Sequence, residues 1–298
     1  MSNTFIDLSQ VAFSALSFLK RRATLLNTVW TDIVSGAVAA NTGETVVVRT
    51  PPSFTTNTYN GSALTVQDIT EGSVSVVLSS DEEVTVKWSP REEAASVAEV
   101  ERLVIEPAMD ALLRKVETDI ESTFRAALIT ATREFGTAYG TDVEVKDLAA
   151  ARKALNDQDV LQDDERYLWL SPKDGENLVQ KTAFLDASAS GRDTLSSGGL
   201  GRVFGFNVGE SNAIVTNTTP TPDETYNLFY HRTACCVAMR ALPEPSAPGV
   251  EFAVASNDGL TVNVTKQWDS ASQSTIMVFR CLYGIKELDT NRGGVLKG

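Results

Sequence analysis

Apolar residues recur at steps of three and four from Pro107 to Arg133, through Met109, Leu113, Val116, Ile120, Phe124, Ala127 and Ala131. This is the period of one buried helix face. Charged residues occupy the other faces. Asp110 with Arg114, and Glu121 with Arg125, are acid-first pairs four apart, the stabilising order. At about 1.5 Å per residue the predicted helix is roughly 40 Å long. That is more than twice the length of an average helix, so it is a scaffold for other elements. Glu92 to Ile105 also reads as helical. Pro107 is therefore either the first residue of the long helix or a kink inside a longer one. The same period returns near the N-terminus in Leu8, Ala12, Ala15, Leu19, Ala23 and Leu26, with Phe13 and Phe18 widening the apolar face. No adjacent segment offers cover for that arm. Its face packs on its own domain or, equally well, on a neighbouring molecule.

Elsewhere the period shortens to two. Thr45 to Thr50 is a Val-rich strand stopped by Pro51 and Pro52, and Asn60-Gly61 signals a tight turn. Val74, Val76 and Leu78 alternate with other residues, as do Val84, Val86 and Trp88. Ser79 to Glu83 between them reads as a turn. The segment is poor in bulky apolar residues. A long two-stranded ribbon is marginal alone in water, so we expect an extended loop that lies on a neighbouring molecule.

Beyond the long helix the pattern is mixed. Val145 to Leu155 reads as a helix, Arg166 to Leu170 as a buried strand, and Gly175 to Leu185 as a helix. Asp186 to Gly201 is small and polar and reads as a loop. Strands are expected at Val203 to Val208, Ala213 to Val215 and Tyr226 to Tyr230. His231 to Leu242 is apolar without a deciding period. Leu260 to Thr265 and Ser274 to Tyr283 read as a final antiparallel pair, and Trp88, Phe252 and Trp268 as core residues. The class is α+β.

With 298 residues the chain can form one to three domains. Its net charge of −13 argues against tight, phosphate-driven binding of nucleic acid. Three cysteines, two of them adjacent (Cys235 and Cys236), form no disulfide framework and fit a reducing compartment. No apolar run is long enough to span a membrane. Lys20 to Arg22 follow the N-terminal apolar stretch and do not precede it, the reverse of a secretory signal. The chain reads as soluble and made in the cytoplasm.

Candidate chemistry is sparse. The single histidine, His231, has Cys235 and Cys236 four and five residues on, too few ligands for a zinc site; it reads as a hydrogen-bonded structural residue. Gly199, Gly201 and Gly205 miss the G-x-G-x-x-G spacing, with Phe204 at the third glycine position, and they follow a loop where a strand is required. Asp81 to Glu83 and Glu92-Glu93 read as solvated faces. No nucleophile stands in a recognisable elbow. We expect no catalytic, cofactor-binding or metal-ligating residues, and no enzyme.

The order of pieces then carries a resemblance. VQDITEGSVSVVL (Val66 to Leu78), IEPAMDALLRKVETDI (Ile105 to Ile120), GLGRVFGFNVGESN (Gly199 to Asn212), NLFYHRTACCVAMRAL (Asn227 to Leu242), and LTVNVTKQWD with CLYGIKEL (Leu260 to Leu288) resemble, in that order, segments of tailed-bacteriophage major capsid proteins of the Hong Kong 97-type fold. Each motif is a loose apolar-and-glycine pattern, and their joint order is what is specific. The nearest likeness is to coat proteins of short-tailed enterobacterial phages, without those proteins' inserted domain, since only a Thr/Pro-rich connection spans Asn212 to Tyr226.

The resemblance implies an N-terminal arm (1–42), an extended hairpin or E-loop (43–90), a P-domain spine helix (91–134), an A-domain (135–254) and closing P-domain strands (255–298). It implies a virion structural protein, assembled in the host cytoplasm, whose copies close as pentamers and hexamers into an icosahedral head around double-stranded DNA. Expected partners are a scaffolding protein, a portal and a cement protein. Asp7 is expected to cap the arm helix or to pair with a basic scaffolding helix. A cellular nanocompartment shell on the same fold is the alternative. Some family members cross-link an E-loop lysine to a neighbour's asparagine. Between Thr45 and Pro90 this chain has one lysine, Lys87, at the base of the returning strand, so no cross-link is expected.

Overall fold

The computed structural model describes residues 8–31, 45–50, 54–58, 61, 66–69, 71–89, 105–181, 200–219 and 222–298. The expectations for Asp7, Pro51 and Pro52, Asn60, Glu92 to Val104 and most of the 186–201 loop lie outside the described residues. The arm forms helix α1 (Leu8–Arg22) and a short turn of helix, α2 (Leu25–Thr28). Its apolar face is covered by its own chain. Leu8, Val11, Ala12, Ala15, Leu16, Phe18 and Leu19 are buried in one cluster with the long helix and a five-stranded sheet. The cover comes from strands more than 200 residues away in sequence, where no local pattern could reveal it. Phe13, on the opposite side, stays exposed.

The ribbon differs from expectation. Strand β1 (Thr45–Thr50) pairs antiparallel with β2 (Gly72–Val77), joining Thr45 to Val77 and Thr50 to Gly72. The Val84, Val86, Trp88 alternation belongs to β3 (Ser80–Trp88), which leaves the ribbon and pairs with another sheet. Ser80 to Glu83 is strand, so the predicted five-residue turn shrinks to a link at Leu78 and Ser79. That link crosses strand β13 (Ser274–Glu287) at Gly284, where an added Cβ would sit 2.2 Å from the Val77 carbonyl oxygen. Only glycine fits. The ribbon base is also less bare than expected: Val46, Val48, Val76 and Leu78 pack on Cys236 and Ala238.

Helix α3 (Glu106–Thr130) is the predicted scaffold, with Pro107 in its first turn, where a missing N–H costs nothing. Met109, Leu113, Val116, Ile120 and Phe124 are buried as expected. Leu128, not Ala127, continues the stripe. The helix ends where Thr132 takes a left-handed conformation (φ 55°). There the Arg133 N–H reaches back to the Leu128 carbonyl at 2.9 Å, a termination usually made by glycine.

Two sheets follow. In the first, β13 (Ser274–Glu287) pairs with β10 (Cys235–Arg240), with β3 and with β12 (Leu260–Asp269), and β12 pairs in turn with β11 (Val250–Asn257). The final antiparallel pair was legible; β11 was not. The second sheet has the order β4 (Glu134–Phe135), β14 (Gly293–Lys297), β9 (Glu224–His231), β5 (Arg166–Leu170), β7 (Phe206–Glu210), β6 (Arg202–Val203), with β8 (Thr216–Asn217) on β9. The strand expected at Ala213 to Val215 is displaced to β8. The strand expected at Val203 to Val208 is a hairpin instead. It turns at Phe204 and Gly205, both with positive φ, as a two-residue turn of this hand requires. Helices α4 (Val145–Asn156) and α5 (Pro172–Val179) complete this half, and α4 shares a core with Leu168, Leu170, Phe206 and Phe229. Helix α5 starts three residues before the expected position, because Ser171 accepts the Asp174 N–H and Pro172 opens the first turn. Trp268 is 53% exposed near the end of β12, which corrects its assignment to the core.

Candidate assembly surface

Lys20, Arg22 and Thr24 hold the arm to the body. Lys20 pairs with Asp258 in the β11–β12 turn, and Arg22 pairs with Asp110 of α3. Asp110 is thus drawn to the arm, and the helix pair predicted with Arg114 gives way to that contact. Thr24 precedes α2 and has no capping bond from its own side chain. The carboxylate of Glu117 on α3 accepts both its N–H (2.6 Å) and its hydroxyl (2.9 Å). Further on, the Thr28 hydroxyl lies 2.7 Å from that of Tyr230, and Trp30 bonds both Cys235 and Val237 of β10 through its backbone. Arg22, Asp110, Arg114, Glu117, Glu210 and Asn212 line an open groove of about 670 Å³ where arm, long helix and second sheet meet.

One turn along α3, Glu121 is wholly buried. Its Oε1 accepts from Arg125 Nε at 2.7 Å, and its Oε2 has no hydrogen-bond partner. Burial pushes its carboxyl above the usual range, and the Arg125 charge only partly offsets that.

The loop that joins β1 and β2 has a different character. Phe54 is 60% exposed, Val66 85% and Ile69 72%, while Val47 and Val77 are half exposed on the outer face of the strands. Exposed apolar side chains in series on one loop are what an association surface offers.

His231 is buried at the end of β9. Its Nδ1 lies 2.8 Å from the Thr233 hydroxyl and accepts the Thr233 N–H, so its Nε2–H donates to Asp163 at 3.1 Å. Burial works against the Asp163 charge, but the His231 bond and the Glu165 N–H outweigh it and hold the carboxyl below its ordinary range. Glu165 is the third group close enough to share a cation with these two. It faces Arg232 at 3.4 Å. The arrangement ties the loop before β5 to the end of β9. Asp163 is 68 residues from His231, a separation that carries no spacing signal.

The three cysteines are buried and free. Burial pushes the thiols of Cys236 and Cys281 up to about 12 and raises that of Cys235 well above the ordinary thiol range, so they are poor nucleophiles. Gly201 and Gly205 serve the β6–β7 hairpin; Gly199 lies outside the described residues. Asp81 and Glu83 face Arg280 from β3, whereas Glu92 and Glu93 are outside the described residues. Lys87 is an exposed β3 residue opposite Ile276. Among the described residues, no helix is long and apolar enough to cross a membrane.

Similar architectures are known. A solved structure of Mycobacterium phage Che8 matches with a TM-score of 0.66 at 16% identity, covering 92% of this chain and 91% of that one. The capsid of cyanophage P-SCSP1u matches at 0.58 and 16% identity, covering 86% and 84%. The capsid of an empty GTA particle matches at 0.54 and 12% identity, covering 100% and 93%. At these identities the likeness is one of fold, and that fold is the Hong Kong 97 type. No curated protein sequence matches the chain. The family model described as phage capsid protein matches residues 61–242. With that match spanning more than half its length, the chain belongs to the phage capsid protein family and is a major capsid structural protein.

Proposed function

We propose that copies of this chain close into pentamers and hexamers of an icosahedral head that encloses double-stranded DNA. The observation that carries the reading is the loop between β1 and β2. It exposes Phe54, Val66 and Ile69, while the subunit's cores close without them. A second copy of the chain is the partner that would cover them. In this reading residues 1–42 are an arm, 43–90 an E-loop, 91–134 the spine, 135–254 an A-domain and 255–298 closing P-domain strands. The placement of β3 and β10 in one sheet with β12 and β13 makes those boundaries spatially interleaved.

The role is structural, not catalytic, and its place is the virion. Assembly in the host cytoplasm on a scaffolding protein, with a portal and a cement protein, follows from the same reading. So does kinship to short-tailed enterobacterial coat proteins, which rests on motif order. A net charge of −13 suits a wall that contains DNA without gripping it. The test is overexpression with the scaffolding partner, followed by light scattering, micrographs and nucleic-acid analysis of phage-derived particles. Shells of megadalton mass are expected. Monomers or dimers at high concentration with scaffold present refute the reading, and shells from infected cells that contain protein cargo but no DNA point to a nanocompartment.

A further inference from the structure

Among the described residues of the loop between β1 and β2, the Gln67 side chain grips Thr55. Gln67 Oε1 accepts the Thr55 N–H at 3.0 Å and the Thr55 hydroxyl at 3.3 Å, and Gln67 Nε2 donates to the Thr55 carbonyl oxygen. A primary amide that donates and accepts at one residue's N–H and C=O reproduces, with a side chain, the paired bonds of an antiparallel strand partner. The two residues are 12 apart in sequence. Phe54 adjoins one, Val66 adjoins the other, and Ile69 lies two further on. The clasp and the exposed apolar residues therefore occupy the same short piece of loop.

We propose that Gln67 is a positioning residue for assembly: its clasp on Thr55 presets the loop so that Phe54, Val66 and Ile69 meet a second copy together. This rests on the reading that the loop engages a neighbouring subunit. A loop ordered before association loses less conformational freedom on binding. The clasp lies outside the three buried clusters, so its loss leaves the subunit fold intact. Glutamate at this position keeps the two acceptor contacts but cannot, when ionised, donate to the Thr55 carbonyl. Glutamine is the side chain that satisfies both ends of the Thr55 peptide groups.

The test uses the full chain with its scaffolding partner. Q67A and Q67E are compared with wild type in three readouts: subunit melting, hydrogen exchange at the Thr55 amide, and the subunit concentration at which shells appear. Q67A should melt like wild type, exchange faster at Thr55, and need roughly tenfold more protein to form shells, the size expected from losing three exposed hydrogen bonds whose contributions do not add in full. Q67E should fall between. T55P removes both Thr55 donors, its N–H and its hydroxyl, without touching Gln67, so T55P and Q67A together should be no worse than the more affected of the two. Shell formation by Q67A at the wild-type threshold overturns the inference. Additive losses overturn it too, since Gln67 would then act through a contact of its own. The variant F54S/V66S/I69S tests the underlying reading separately. If it assembles like wild type, the loop does not engage a neighbour. If it fails while Q67A succeeds, only the clasp is wrong.

Discussion

Removing the Glu117 side chain should loosen the arm. Its Oε1 receives two hydrogen bonds from Thr24, at 2.6 and 2.9 Å, and Glu117 is 8% exposed. Hydrogen bonds to a charged partner contribute about 1.5–3 kcal/mol each. Both fall on one oxygen and do not add fully, so Glu117→Ala should cost about 2–4 kcal/mol. For a chain of this size that corresponds to roughly 3–6 °C in melting temperature. Glu117→Gln keeps an acceptor oxygen and should cost about 1 kcal/mol, the difference between a charged and a neutral acceptor. The assay is thermal and urea unfolding of unassembled subunits, with hydrogen exchange at Thr24 to Thr28. Exchange there should accelerate in the alanine variant while the amides of α3 remain protected. A Glu117→Ala subunit that melts within about 1 °C of wild type, with unchanged exchange at Thr24, refutes the claim that this carboxylate anchors the arm.

Ile120 is 1% exposed, and Ile120→Asp would bury an unpaired charge at a cost of several kcal/mol against a total stability of about 5–15; soluble, wild-type-like protein would show that face of α3 to be uncovered. Glu121→Gln should gain on wild type as pH rises from about 4 to about 8. The folded carboxyl sits above its unfolded value, so wild type is most favoured when that group is protonated and loses stability as pH climbs through the folded value; a constant difference across that range, in urea midpoints, contradicts this. Particles boiled in detergent and reductant should give one band near 32.1 kDa, and a ladder that vanishes in Lys87→Arg would establish a cross-link through that exposed strand residue.

The sequence by itself determined the elements whose partners lie within them. Helix α3 was legible because 25 residues sample the 3.6-residue period many times over, and a stripe of that length has no competing explanation. The helix at Val145, the strand at Arg166 and the β12–β13 pair were legible for the same reason: a clear period bounded by turn residues. The ordered set of motifs pointed to the capsid fold because their succession, not any one of them, is distinctive.

What the tertiary structure decided was every choice of partner. The arm's apolar stripe declared that it must be covered, but burial carries no direction, and the covering strands β11 and β12 lie at the far end of the chain. The alternation of β3 is the same whether it pairs with β2 or with β13; the Cβ-less crossing at Gly284 and the core beneath β13 settled it. Trp268 reads as core on hydropathy alone, yet it stands near the end of β12, 53% exposed. The Asp163, Glu165 and His231 group and the grip of Gln67 on Thr55 are polar contacts between segments that turns or whole strands separate. Hydrophobic periodicity records which face of an element leaves water; it holds no record of which other segment meets it there.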